Sequence, residues 1–176
     1  RFVAGAFGGI NADMMALPGV YIGVVMGRHA GWLTAAAALA GRHDDDGPHL
    51  IYLPERPFSQ EGFLADAQAL LARKGSGVIV VSEGLRDDTG APVAPLVYRS
   101  GRAEYFGNVS GHLEQLVIRE LGAKARSEKP GILARASVAL QSPVDLSEAM
   151  EAGRFACAQA LEGETTDRFG AAPEAL

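Results

Sequence analysis

The stretch Met26-Gly27-Arg28-His29-Ala30-Gly31 has the residue types and spacing to hold an anion. Arg28 carries a planar fork of donors that matches the oxygens of a phosphate group. Gly27 and Gly31 flank it, so a ligand can approach the backbone closely. The alanine-rich run from Thr34 to Ala40 predicts a helix closed by Gly41. The amino end of such a helix offers N–H groups and a favourable dipole to an anion. A phosphate-handling turn is the chemistry these residues predict. Two more polar stretches have the same character, Pro54-Glu55-Arg56-Pro57 and Ser82-Glu83-Gly84. A carboxylate such as Glu55 can accept from sugar hydroxyls while Arg28 neutralises a phosphoryl group. Farther on, Lys124 to Arg135 holds four basic residues in twelve, and Pro130-Gly131 interrupts any helix there. That basic loop is placed to take the other end of a phosphorylated ligand. Glu83 reads as a structural carboxylate paired with Arg86 or another basic neighbour. His29 reads as a packing or capping residue, and Trp32 and Tyr52 as core. Asp44-Asp45-Asp46 reads as a solvated turn rather than a metal site.

These residues need a frame. Three apolar runs, Val20–Met26, His49–Leu53 and Gly77–Val81, are nearly continuous in apolar character, as strands covered on both faces are. Helical patterns alternate with them. One spans Gly31 to Ala40. The next follows Ser59 as N-cap and runs to Lys74 before Gly75. Another covers Val109–Leu121, and a fourth covers Leu146–Leu161 from Asp145 as N-cap. Arg86–Arg102 reads as a loop or short hairpin. The alternation predicts an α/β fold, a three-layer Rossmann-like domain with a mostly parallel sheet over residues 20–162. Residues 1–19 stay unassigned and 163–176 read as a tail. In open α/β sheets ligands sit at the carboxyl ends of strands. All three polar stretches fall there.

Composition sets outer bounds. Hydrophobic residues make up 48% and charged ones 21% of the 176 residues, ordinary values for a globular domain. The formal charge of −5 and pI near 5.4 argue against a general nucleic-acid binder. No apolar run reaches the roughly 18–20 residues that cross a bilayer. The single Cys157 excludes an intrachain disulfide and reads as a buried small hydrophobe. A free thiol and the lack of a secretory pattern predict a cytoplasmic location.

The motifs together resemble the 6-phosphofructokinases, above all the bacterial pyrophosphate-dependent branch. Val-Met-Gly-Arg-His-Ala-Gly-Trp at 25–32 resembles that family's sugar-phosphate signature. Pro-His-Leu-Ile-Tyr-Leu-Pro-Glu at 48–55 and Val-Ile-Val-Val-Ser-Glu-Gly at 78–84 resemble its next strands. Leu-Gly-Ala-Lys-Ala-Arg, Lys-Pro-Gly and Ala-Arg-Ala-Ser within 121–137 resemble its basic substrate loop, and Val-Asp-Leu-Ser-Glu-Ala at 144–149 the helix after it. The resemblance implies phosphorylation of fructose 6-phosphate at O1 from pyrophosphate or ATP, with Mg²⁺ as cofactor and a homo-oligomeric assembly. It implies substrate contacts from Met26, Gly27, Arg28, Glu55, Arg135 and Arg126.

The family's donor site is a Gly-Gly-Asp-rich loop, and its base is an aspartate in a Thr-Ile-Asp-Asn-Asp motif. Neither motif stands in these 176 residues. Gly19 and Val24 stand where the family usually has a basic residue and a glutamate. Ile132 and Ala134 replace polar residues of its basic loop. The resemblance therefore implies a substrate-binding half that is inactive alone. A non-catalytic sugar-phosphate-binding or regulatory subunit is the competing reading.

Overall fold

The computed structural model describes residues 1–101 and 103–162. They form two compact units, Arg1–Ser137 and a second that starts at Val138. In the first, strands β1 (Gly19–Val25), β2 (Leu50–Tyr52), β3 (Ser76–Ser82) and β6 (Ala125–Glu128) make one sheet in the order β2-β3-β1-β6. Every pairing in it is parallel. Strands β4 (Leu96–Ser100) and β5 (Ala103–Phe106) form a separate antiparallel hairpin; the stretch Arg86–Arg102, expected as a loop or short hairpin, holds only its first strand, and β5 lies beyond it. The expected layered, parallel α/β architecture is the one observed.

Alternation along β1 explains the layers. Val20, Ile22 and Val24 face helices α3 (Gln60–Lys74) and α4 (Val109–Leu121), where Phe63, Ala67, Leu70, Leu113, Leu116 and Val117 complete one core. Tyr21 and Val25 face the other way, onto Val3, Phe7 and Met14 of helix α1 (Phe2–Met14) and onto Ala37 and Ala40. A strand buried on both faces must be apolar at every position. Gly23 adds a closer fit. A Cβ there would lie 2.3 Å from the Phe7 ring, so the missing side chain lets α1 press onto the sheet.

Local signals set the helix ends. Ser59 Oγ accepts from Gly62 N at 3.1 Å, and Gly75 closes α3 in the left-handed conformation at φ 75°. Asn108 caps α4 by accepting from Ser110 N. In the second unit, helix α6 (Pro143–Leu161) starts earlier than its expected Asp145 cap. Ser142 accepts from Asp145 N, and Pro143 takes the first turn, where no N–H is needed.

Several expectations change. Residues 1–19, unassigned from sequence, carry helix α1 and supply a third of a core layer through Val3, Phe7 and Met14. The helix expected over Gly31–Ala40 is a single α turn, α2 (Trp32–Ala35), followed by a 3₁₀ turn at Ala36–Ala40. The basic segment after α4, expected as a loop, begins as strand β6 and then turns into the short helix α5 (Leu133–Ala136). Trp32 is 84% exposed rather than core, whereas Tyr52 is partly covered by the rings of Phe58 and Phe63. Cys157 is exposed on α6 rather than buried. The expected tail at 163–176 lies outside the described residues.

Candidate functional site

Strands β1 and β3 run side by side and end together, with Val25 opposite Ser82. Glu83 N continues the pairing by donating to Val25 O at 3.0 Å. Past that point the two chain segments form interlocked turns. Gly27 sits at φ 139°, a conformation that L side chains rarely adopt, and a Cβ there would strike Ala30 O at 2.6 Å. The buried Ser82 hydroxyl donates to Gly27 O at 2.5 Å and accepts from Gly84 N at 3.1 Å. Gly27 N in turn donates to Glu83 Oε1 at 3.3 Å. Gly84 lies directly against the Arg28 backbone: a Cβ on it would be 2.1 Å from Arg28 O. Two glycines and a serine thus fix where Arg28 leaves the sheet.

Glu83 is the centre of the charge arrangement. Its side chain is 15% exposed and pairs with Lys129 Nζ at 3.1 Å and Arg28 Nε at 4.0 Å. Burial alone would raise its carboxyl. The Lys129 ammonium, the Gly27 N–H and the Arg28 guanidinium outweigh that and hold it below the usual carboxylate range. The expected partner Arg86 instead donates to Gly90 O at 2.7 Å across the Asp87 turn. The Arg28 side chain is 79% exposed, and an ion pair that long and that wet contributes little. Most of its donors therefore face solvent.

Around this point opens a cleft of about 500 Å³. Arg28, Arg86 and Lys129 line it with His29, against the one carboxylate of Glu83. Leu85, Pro92, Ala94 and Phe106 supply an apolar wall. The excess of cations suits the cleft to an anion. The apolar wall makes it suited to more than a bare inorganic ion.

The structure sorts the residues singled out from sequence. Arg28 lines the cleft. Gly27, with Met26 half-buried before it, shapes the turn that presents Arg28. Glu55 does not line the cleft. Its Oε1 accepts from Gly31 N at 2.6 Å, and a Cβ on Gly31 would meet its Oε2. The Gly31 N–H at the start of α2 is therefore already taken by this carboxylate, and α2 is too short to add a useful dipole. Arg126 lies toward the amino end of β6, paired with Tyr21, and donates to Pro18 O at 3.3 Å. Parallel strands put that position at the opposite end of the sheet from Arg28. Arg135 sits exposed on α5 and does not line the cleft. Most of the other lining residues escape sequence reasoning as site residues, the polar ones and Phe106 for separate reasons. His29 reads there as packing, and Arg86 as a partner for Glu83. Nothing distinguishes Lys129 within the basic segment. Phe106 gives no signal, because a hairpin's register cannot be read from its residues.

The acidic turn behaves as a turn: Asp46 accepts from Arg42 N and His43 N, and Asp45 pairs with Lys74. Among the described residues no group of three or more His, Cys, Asp or Glu side chains converges on a point that could hold a metal ion.

Comparison with known proteins settles the lineage. The phosphofructokinase family model matches residues 2–159. The chain belongs to the phosphofructokinase family. It is 45% identical over 174 residues to a pyrophosphate–fructose 6-phosphate 1-phosphotransferase of Rhodospirillum rubrum, covering 94% of this chain and 43% of the relative. A protein of the same name from Xanthomonas campestris pv. campestris is 42% identical over 149 residues, covering 82% of this chain and 35% of that one. Among solved structures, a pyrophosphate-dependent phosphofructokinase from Marinobacter aquaeolei superposes with TM-score 0.71 at 30% identity, over 94% of this chain and 39% of that one. The chain therefore spans about two-fifths of the length of these phosphofructokinases.

Proposed function

We propose that this chain provides the acceptor-sugar site of a 6-phosphofructokinase, which transfers a phosphoryl group from pyrophosphate or ATP to O1 of fructose 6-phosphate. The observation that carries the reading is the convergence of Arg28, Arg86 and Lys129 on one cleft at the carboxyl ends of β1 and β3. Phosphoryl transfer rests mainly on positioning and charge neutralisation. Arg28 and Lys129 supply the neutralisation, and the close contact of Gly84 with the turn after Gly27 supplies the positioning. The names of the relatives support fructose 6-phosphate as acceptor and pyrophosphate as donor. The family further suggests Mg²⁺ with the donor, a homo-oligomer and a cytoplasmic location. No helix among the described residues is long and apolar enough to cross a membrane.

Isothermal titration of the 176-residue chain with fructose 6-phosphate, and with fructose as control, tests the reading. The phosphorylated sugar binds and fructose does not. Arg28→Ala costs about 1.5–3 kcal/mol of that affinity, the range for a hydrogen bond to a charged group. Equal affinity for the two sugars, or no effect of Arg28→Ala, overturns it. Phosphoryl transfer by the purified chain alone would contradict its role as the acceptor half.

A further inference from the structure

We infer that Phe106 sets the specificity of the cleft, by taking the C–H face of the sugar ring of a bound sugar phosphate. The inference rests on the reading of the cleft as a phosphate site and adds what the rest of the ligand must be. Phe106 is 40% exposed, and the surface it shows lines the same cleft as Arg28 and Lys129. The exposed face of Phe106 is apolar surface that a bare anion leaves uncovered. A ligand with an anionic end and an apolar C–H face covers both walls at once.

The ring is also held in place. Its backbone pairs with Leu96 at the base of the β4–β5 hairpin. The next residue, Gly107, donates to Pro95 O at 2.8 Å, and a Cβ at Gly107 would press on Val97 at 3.2 Å. Asn108 then caps α4. Phe106 is thus gripped between a hairpin ladder and a helix start. Leu85 and Ala94, 3% and 7% exposed, continue its apolar surface. A ring fixed this way discriminates by shape, because it covers a ligand face without reorganising.

The test compares three ligands on one protein: fructose 6-phosphate, inorganic phosphate and adenosine monophosphate, each by isothermal titration. Phe106→Ala weakens fructose 6-phosphate by about fivefold to thirtyfold and changes inorganic phosphate by less than about twofold. Phe106→Leu fills the hairpin base but lacks the flat face. It shows the same selective loss, while Phe106→Tyr restores wild-type affinity. An equal loss for both ligands in Phe106→Leu makes the residue structural and overturns the inference. An unchanged affinity for fructose 6-phosphate in Phe106→Ala overturns it too. Tighter binding of adenosine monophosphate than of fructose 6-phosphate assigns the ring to a planar base and overturns the sugar assignment. If wild type binds neither phosphate nor fructose 6-phosphate, the phosphate reading itself fails, an outcome distinct from all of these.

Discussion

Gly84→Ala is the substitution in which fold and site are tested together. The added Cβ would stand 2.1 Å from Arg28 O, 2.5 Å from its carbonyl carbon and 2.6 Å from its Cα. All three are backbone atoms, so no side chain can rotate away. Ordinary contact is about 3.4 Å, so the turn at Arg28 must retreat from Gly84 by about 1.3 Å. Overpacking of this kind costs typically about 1–3 kcal/mol. The retreat also stretches the Ser82 Oγ–Gly27 O and Gly27 N–Glu83 Oε1 hydrogen bonds, each worth about 1 kcal/mol. Together these come to roughly 3–5 kcal/mol, or a fall in Tm of roughly 6–20 °C for a chain of this length. Because Arg28 moves with the turn, affinity for fructose 6-phosphate falls as well. The assays are urea denaturation for stability and titration for binding. Gly5→Ala is the control. Gly5 lies in α1, and an added methyl would meet nothing within 4 Å, so alanine there raises stability by about 0.5–1 kcal/mol. A Gly84→Ala protein with wild-type stability and wild-type affinity would refute the claim that contact with Gly84 positions Arg28.

Three more outcomes follow from the same structure. Glu55→Ala removes the acceptor of the Gly31 N–H and costs about 1 kcal/mol of stability, while fructose 6-phosphate affinity stays within about threefold of wild type; a larger selective loss of binding would restore Glu55 as a sugar contact. Glu83 has a carboxyl held below its usual 4.5, against the effect of burial and chiefly through Lys129, so its ionised form stabilises the fold above pH 4.5 and that contribution is lost as pH falls through the lowered native value. The stability gap between wild type and Glu83→Gln in urea therefore narrows below pH 4.5, and a gap that stays constant as the acid range is crossed would contradict the ion-paired arrangement. His49 is also lowered, which in a base disfavours the charged form: burial, then the nearby Lys74 ammonium, lower it from 6.5, and its Nδ1 accepts from Val78 N. The unfolded chain takes up that proton first, so stability falls as pH drops below 6.5 toward the lowered native value, and His49→Gln flattens this part of the urea-midpoint profile.

Much of the frame can be read from the residues because period and burial are local properties. A short, β-branched apolar run such as Val20–Val25 reads as a strand covered on both sides, and Ser59 and Gly75 mark helix ends by their own chemistry. The family motif at 25–32 places Arg28 at a strand end for the same reason. Helix α1 escapes such reading because six of its residues are glycine or alanine, and its tight seat on Gly23 through Phe7 depends on a partner sixteen residues away.

The parallel α/β frame, the turn that carries Arg28 and the lineage to which both belong are all written in the order of the residues. Which charges meet is a matter of tertiary contacts alone. Folding ties the Glu55 carboxylate to Gly31 N and sends Arg126 to the far end of the sheet from Arg28. It brings Lys129 and Phe106 to the cleft from segments more than seventy residues beyond Arg28. Strand direction and side-chain facing assign each residue to one end and one face of the sheet. Those assignments come from pairings between distant segments, which no local pattern encodes.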